Sequence, residues 1–115
     1  MFYKLNGVLE VIILQIDMAQ DPLIVASNVY TLINENERMR VFRTIFKPGD
    51  TAKMHYHPEH MAYVLKGGKL KLTSEGKTQE LDLKEGSAVF LEAQNHEATN
   101  TGDSVVDLLV VEIKS

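Results

Sequence analysis

The feature that most constrains this chain is the regular spacing of its turn residues. From Leu23 onward, short apolar or alternating runs are separated by turns that recur every 8–12 residues or so. The turn sequences are Lys47-Pro-Gly-Asp50, Lys66-Gly-Gly-Lys69, Ser74-Glu-Gly-Lys77, Lys84-Glu-Gly86 and Asn100-Thr-Gly-Asp103. Short strands joined by frequent turns are typical of an antiparallel β-sandwich or barrel, so we predict an all-β fold.

The individual runs support this interpretation. Aromatic and β-branched residues fill Arg40–Phe46, and a long apolar run covers Val105–Ile113. The run Ala62–Leu65 and the run Leu70–Thr73 flank a Gly-Gly pair, which predicts a hairpin between them. The single helical candidate is Val29–Arg38, although its polar end is more typical of a turn.

Length and charge narrow the function classes. A chain of 115 residues fits one domain, and its 12 basic and 16 acidic residues give a net charge of −4. This balance argues against nucleic-acid binding and against a basic membrane-surface module. No apolar run approaches the ~18 residues of a spanning helix. The absence of cysteine excludes disulfides, thiolate nucleophiles and cysteine-ligated metals. We expect a cytoplasmic protein that binds neither nucleic acid nor membrane.

The N-terminal residues need a separate interpretation. The apolar stretch Val8–Ile16 is interrupted by Glu10 and Gln15, and no Ala-x-Ala site follows, which argues against a signal peptide. We interpret residues 1–17 as an extension, with an added edge strand as one alternative, and residues 18–115 as the domain itself.

The histidines are the strongest functional signal. Three of the four lie close together, in Met54-His-Tyr-His-Pro-Glu-His60. Side chains at i and i+2 of a strand point to the same face, so His55 and His57 can direct two imidazoles at one point. Neutral imidazole is a common ligand of transition metals. Taken alone, the pattern is equally compatible with two solvated histidines on a polar strand face.

The surroundings of these histidines resemble two motifs of the cupin superfamily, in particular its small single-domain members. The matching residues are Gly49, His55, His57, Gly86, His96 and Asn100. The resemblance spans Val41–Ile113 and implies a cupin-type β-barrel, also called a double-stranded β-helix or jelly roll. It also implies a divalent metal held by His55, His57 and His96. Imidazole ligands suit Fe, Zn, Ni, Mn and Cu, so the ion is not specified.

One departure from the cupin pattern bears on mechanism. The glutamate of the first motif is missing, because residues 60–62 are His-Met-Ala. Three-histidine sites occur in the thiol-dioxygenase branch of the cupins, so this departure does not exclude chemistry. His60 can supply a fourth nitrogen, or Glu59 can accept a hydrogen bond from an imidazole. A barrel with a bare ligand pocket and no metal is the remaining alternative.

Two further residues are candidates for contact with a ligand. Tyr63 shares strand parity with His55 and His57, so its hydroxyl would orient a substrate or donate a proton if the register continues past Pro58. Gln94 lies beside His96 and is a candidate substrate-binding residue, with a turn role as the alternative.

The predicted function is a metal-dependent enzyme that acts on a small polar molecule, with oxygenase-like or isomerase-like chemistry. The alternative is a non-catalytic protein that binds or senses a small molecule in the same cavity. A purely structural dimerisation module is a third hypothesis. We expect a homodimer, to which the N-terminal apolar stretch can add a strand.

Overall fold

The computed structural model describes residues 20–115. The predicted extension over residues 1–17, with its proposed edge strand, lies outside the described residues. One short helix, α1 (Pro22–Val25), begins after Asp21, whose Oδ1 accepts a hydrogen bond from the Leu23 amide at 2.9 Å. The strands are β1 (Tyr30–Glu35), β2 (Met39–Phe46), β3 (Thr51–His57), β4 (His60–Lys66), β5 (Gly68–Ser74), β6 (Lys77–Leu83), β7 (Ala88–Leu91), β8 (Gln94–Asn100) and β9 (Val106–Ile113).

These strands form two antiparallel sheets, which confirms the all-β prediction. The five-stranded sheet has the order β1-β2-β9-β4-β7, and the four-stranded sheet has the order β3-β8-β5-β6. Strands β3 and β4 are consecutive in sequence but belong to different sheets. The corner at Pro58 and Glu59 therefore carries the chain from one sheet to the other, and this places His57 and His60 in facing sheets.

The core consists of the inward-facing apolar residues of both sheets. Phe42, Phe46, Val64 and Val106 are at most 1% exposed. Burial of side chains of this size stabilises the fold by about 1.5–3 kcal/mol each. Within residues 20–115 no helix is long and apolar enough to cross a membrane.

Three of the predicted turns contain a glycine with positive φ, at Gly49, Gly76 and Gly86. Gly49 has φ +86° in the turn closed by a hydrogen bond from the Asp50 amide to the Lys47 carbonyl, and Gly86 has φ +81° in the equivalent turn before Ser87. A side chain at either position would strain the backbone.

The Gly-Gly pair is not a hairpin, contrary to the sequence prediction. Strand β4 pairs with β7 and β9, whereas β5 pairs with β6 and β8 in the other sheet. The glycines are required by close approach: a Cβ on Gly67 would overlap the Leu83 carbonyl oxygen, and one on Gly68 would lie 2.8 Å from Val106 Cγ2. The pair forms a corner between the sheets.

The helical candidate Val29–Arg38 is also excluded. Its middle forms strand β1, which pairs with β2. The polar turn that follows is closed by Asn36, whose Oδ1 accepts hydrogen bonds from the amides of Arg38 and Met39 at 2.8 and 3.0 Å. An asparagine that bonds its own backbone in this way favours a turn over a helix.

Candidate metal centre

Strands β3 and β8 bring three histidines together. In the β3–β8 register His55 lies opposite His96, and His57 lies two residues further on the same face of β3. The three side chains are 0%, 4% and 0% exposed, respectively. One nitrogen from each imidazole lies within 4.8 Å of the others. The parity argument for His55 and His57 therefore describes their actual arrangement, and these three residues could hold a metal ion.

The fourth histidine faces the same point from the other sheet. His60 is the first residue of β4 and is 2% exposed. Its ring centroid lies 4.4 Å from that of His57 and 5.7 Å from that of His96. Residues of both sheets thus contribute to one cluster of four imidazoles.

Hydrogen bonds on the outer side of the cluster fix the protonation of every ring. Each Nδ1 contacts an oxygen: Lys53 O for His55 at 2.6 Å, Glu112 Oε2 for His57 at 2.6 Å, Pro58 O for His60 at 2.8 Å and Gln94 Oε1 for His96 at 2.9 Å. A carbonyl or carboxylate oxygen can only accept, so each Nδ1 donates its hydrogen. Every Nε2 of the neutral rings therefore carries a lone pair.

Burial keeps these rings neutral. It is the main cause that lowers the pKa of His55, His57 and His60, and it lowers the pKa of His96 to about 2. The neighbouring imidazoles add to the effect, because a second positive charge in the cluster would be repelled. Neutral imidazole is the form that binds a metal.

The geometry of the Nε2 atoms fits a shared cation. Nε2 of His55 and Nε2 of His57 are 3.0 Å apart, and the Tyr30 hydroxyl lies 3.3 and 3.0 Å from them. The hydroxyl has one hydrogen and can satisfy only one lone pair. Two ligands at ~2.1 Å from one ion and at about a right angle are separated by ~3.0 Å. The separation of these two Nε2 atoms is compatible with ligation of one transition-metal ion, and the three histidines together could hold it.

A carboxylate that sequence reasoning missed orients His57. Glu112 on β9 is 2% exposed, accepts the His57 Nδ1 hydrogen, and is bound through Oε1 by Arg40 at 2.9–3.0 Å. Arg40 in turn contacts Asp21 at 3.1 Å. Burial raises the pKa of the Glu112 carboxyl, and Arg40 opposes that rise. The sequence signal for Glu112 is a charged residue near the end of the mostly apolar run Val105–Ile113, a signal that Asp107 in the same run shares.

Glu59, the acceptor considered from the sequence, does not contact an imidazole. Its side chain is exposed, and its backbone carbonyl pairs with the Ile113 amide. The corner between the sheets turns Glu59 outward, while the following residue, His60, turns inward.

The structure places Tyr63 away from the histidine cluster and Gln94 against it. Tyr63 is 39% exposed on the outer face of β4, so the predicted cavity-facing orientation is wrong: the corner at Pro58 shifts the parity, and His60 and Val64 face inward instead. Gln94 is half-buried, and its Oε1 holds His96 while its Nε2 donates to the Glu92 carbonyl. Contact of Gln94 with a substrate stays a prediction.

Tyr30 is a second residue that sequence reasoning missed. It is 6% exposed at the start of β1, and its ring packs edge-on against Phe42. Burial and the nearby charge of Glu112 raise the pKa of its hydroxyl above the usual value, so the group stays protonated. Nothing in its local sequence distinguishes it from an ordinary core aromatic.

The sequence also matches an established family. The pattern of the cupin domain family matches residues 42–112, which contain all four histidines. The chain belongs to the cupin domain family. No protein of curated function matches this chain in sequence.

Solved cupin structures have the same fold. A cupin domain from Bordetella pertussis is 25% identical with a TM-score of 0.71, and the match covers 76% of this chain and 93% of that one. An RmlC-like cupin with a double-stranded β-helix fold from Methanocaldococcus jannaschii is 20% identical with a TM-score of 0.62, covering 74% and 78%. A Klebsiella pneumoniae protein with a double-stranded β-helix domain is 20% identical with a TM-score of 0.63, and the match covers 74% of this chain and 75% of that one. These matches establish the cupin barrel.

Proposed function

We propose that this cupin binds a divalent transition metal through His55, His57 and His96, with His60 as a fourth nitrogen, and acts on a small molecule at that ion. The observation that supports the proposal is the convergence of buried Nε2 lone pairs whose rings are locked by hydrogen bonds at Nδ1. Buried lone pairs that face one another without hydrogens are costly unless a cation lies between them.

The surrounding residues have separate tasks in this proposal. A bound divalent ion would supply Lewis-acid or redox chemistry, and its charge would remain close to +2 because every ligand is neutral. Glu112 orients the His57 ring and strengthens it as a ligand through the Nδ1 hydrogen bond. Tyr30 holds a proton on its hydroxyl oxygen beside the Nε2 atoms. A metal-dependent enzyme of the oxygenase or isomerase type is the function that this donor set supports best.

A non-catalytic binding or sensing protein is the second candidate. The observation that favours it is the scarcity of polar groups in the inner cavity. Among the described residues, its polar lining comes only from Tyr30, His60 and His96. No carboxylate lines the cavity in that part of the chain, so a general base other than an imidazole is missing there.

Elemental analysis tests the metal centre. The wild-type protein and a His55→Ala/His57→Ala variant would be purified in parallel from metal-supplemented medium. We expect close to one transition-metal ion per wild-type chain and background content in the variant. Circular dichroism would verify that both are folded. Equal metal content in two folded proteins would end the assignment.

Turnover separates the enzyme from the binding protein. Metal-loaded wild-type protein and the double variant would be incubated in air with a small-molecule extract, followed by mass spectrometry. An enzyme depletes one compound in molar excess over the protein and yields a product. A binding protein retains a compound only up to about one equivalent and releases it unchanged.

We also propose that the chain forms a homodimer in the cytoplasm. An exposed apolar surface on β1, at the edge of the five-stranded sheet, includes Leu32 and Ile33. Size-exclusion chromatography of the full chain and of a chain beginning at Met18 tests the contribution of the first 17 residues. An unchanged dimer in the shorter chain would remove them from the explanation.

A further inference from the structure

An apolar cavity lies directly beside the histidine cluster. His60 and His96 of the cluster and the neighbouring Tyr30 line it on one side, and the rest of its lining is apolar. The aliphatic part of the lining includes Leu70, Leu72, Leu81, Leu83, Leu108 and Val110. The cavity has a volume of about 50 Å³. This is several times the ~10–15 Å³ that one water requires.

The lining determines what can occupy this space favourably. Away from the histidine side, the described lining residues offer side chains without a hydrogen-bond donor or acceptor. A hydroxylated or charged ligand body would lose its hydrogen bonds to water without replacing them, which costs about 1–3 kcal/mol for each group. Methyl and methylene groups gain ~0.8 kcal/mol each on burial. The cavity therefore selects a short hydrocarbon body.

Tyr30 determines what the other end of the ligand must offer. The hydrogen-bond contacts of its hydroxyl within residues 20–115 are Nε2 of His55 and Nε2 of His57. When those lone pairs bind a metal, neither can accept the hydroxyl hydrogen. The buried donor then needs an acceptor at the ion, and an unpaired one costs about 1–3 kcal/mol. An oxygen of the ligand meets this need.

We infer that the ligand of this cupin is a small amphipathic molecule, with an oxygen acceptor at the ion that receives the Tyr30 hydrogen bond and a short aliphatic body in the leucine-rich cavity. This rests on the metal centre proposed above. It narrows the small polar molecule predicted from the sequence to one that also carries a short aliphatic part, because the sequence indicated the metal ligands but not the lining beside them.

A chain-length series tests the aliphatic part. Zinc-loaded protein would be titrated calorimetrically with acetohydroxamate, propionohydroxamate and butyrohydroxamate, which share one oxygen-bearing head that binds metals. We expect affinity to rise about three- to fourfold with each added methylene until the cavity is full. Equal affinities across the series, or no binding of any member to the zinc-loaded protein, would overturn the inference.

A matched pair of variants tests the role of Tyr30. Tyr30→Phe keeps the ring and removes the hydroxyl, whereas Tyr63→Phe makes the same change on the outer face of β4. We expect Tyr30→Phe to weaken acetohydroxamate binding about tenfold and to leave zinc affinity undiminished. Tyr63→Phe should leave both affinities at the wild-type value. Identical hydroxamate affinity in the two variants would remove Tyr30 from the ligand site.

A change in the cavity tests the location of the hydrocarbon body. Ala98→Val adds volume to the lining and should abolish the preference for butyrohydroxamate while acetohydroxamate still binds. If that variant fails to fold, Leu72→Ala enlarges the cavity and should shift the preference to longer chains. A wild-type chain-length preference in the folded variant would contradict the assigned location.

The two proposals fail differently. If zinc does not bind the wild-type protein, the metal centre is wrong and the ligand assignment falls with it. If zinc and acetohydroxamate bind but chain length and Tyr30 have no effect, only the ligand assignment is wrong.

Discussion

The two ends of strand β8 carry buried polar side chains that differ in how completely the fold satisfies their hydrogen bonds. At one end, Asn100 is 1% exposed and uses its amide fully: Nδ2 donates to Phe46 O at 3.0 Å and to Ser104 O at 2.8 Å, and Oδ1 accepts from the Gly102 amide at 2.9 Å. At the other end, His96 is bonded at Nδ1 and directs its Nε2 into the imidazole cluster.

This difference separates structural from functional polar groups. A buried side chain whose partners are all within the fold stabilises that fold and nothing else. Buried acceptors that lack hydrogen-bond donors lower the stability of the fold. Such a loss of stability is typical of a functional site that binds a ligand. Both residues match cupin motif positions, so sequence resemblance alone does not distinguish the two roles.

Metal addition should produce the largest difference between the two ends. Zinc at about 100 times its dissociation constant stabilises the folded state by ~2.7 kcal/mol, which raises Tm by about 10 °C or more. Differential scanning fluorimetry should show this rise in the wild type and in Asn100→Ala, but not in His55→Ala/His57→Ala. A similar rise in the double variant would show that zinc binds elsewhere.

Asn100→Ala should lower the stability of the fold while keeping the response to zinc, unlike His55→Ala/His57→Ala. Its removal leaves two carbonyls and one amide without their partner, and we expect the free energy of unfolding to fall by about 2–3 kcal/mol in urea denaturation. Asn95→Ala on the same strand changes an exposed side chain and should stay within about 0.5 kcal/mol of the wild type. Equal effects of the two substitutions would remove the structural role assigned to Asn100.

Glu112→Gln tests the support behind the cluster. The amide keeps the shape of the side chain but weakens the pull on the His57 Nδ1 hydrogen, so zinc affinity should fall about 10- to 100-fold in a chelator competition assay. The control is Glu35→Gln, which changes an exposed pair with Lys114. Unchanged zinc affinity in Glu112→Gln would mean that His57 is oriented by packing alone.

The smallest effect concerns pH and the Arg43–Asp107 pair. Arg43 holds Asp107 through two hydrogen bonds of 2.6 and 2.7 Å, and these lower the pKa of the Asp107 carboxyl. A lowered folded-state pKa adds stability above the unfolded-state value of ~3.9, and this stability is lost as pH falls through the folded-state pKa. Asp107→Asn should therefore have a lower Tm than the wild type at pH 6, and the gap should narrow as pH falls below ~3.9. A constant gap would exclude the carboxylate as its cause.

The sequence predicts the strands better than their partners. Turn residues and alternating runs mark where strands begin and end, and these are local properties. The sheet that each strand joins depends on distant contacts: Gly67 and Gly68 have the composition of a hairpin turn, but their packing against Leu83 and Val106 makes them a corner. Nothing within the segment encodes that difference.

The residues of the candidate site are likewise predicted only in part. The spacing of His55 and His57 predicts a shared face, and the resemblance supplies His96. Tyr30 and Glu112 reach the cluster only through tertiary packing, because one precedes the first motif and the other follows the second. Tyr63 was misplaced because parity continues only along an unbroken strand, and the chain changes sheets at Pro58 and Glu59.

The position of His60 has a consequence for the motion of the barrel. His55, His57 and His96 belong to one sheet and His60 to the other, so an ion bound by all four would link the two sheets at this end of the barrel. Separation of the two sheets at this end would then require breaking a coordination bond, and amide hydrogen exchange along β3 and β4 should slow when metal is added. At the other end of the barrel, near Asn100, the rate of amide hydrogen exchange would stay unchanged.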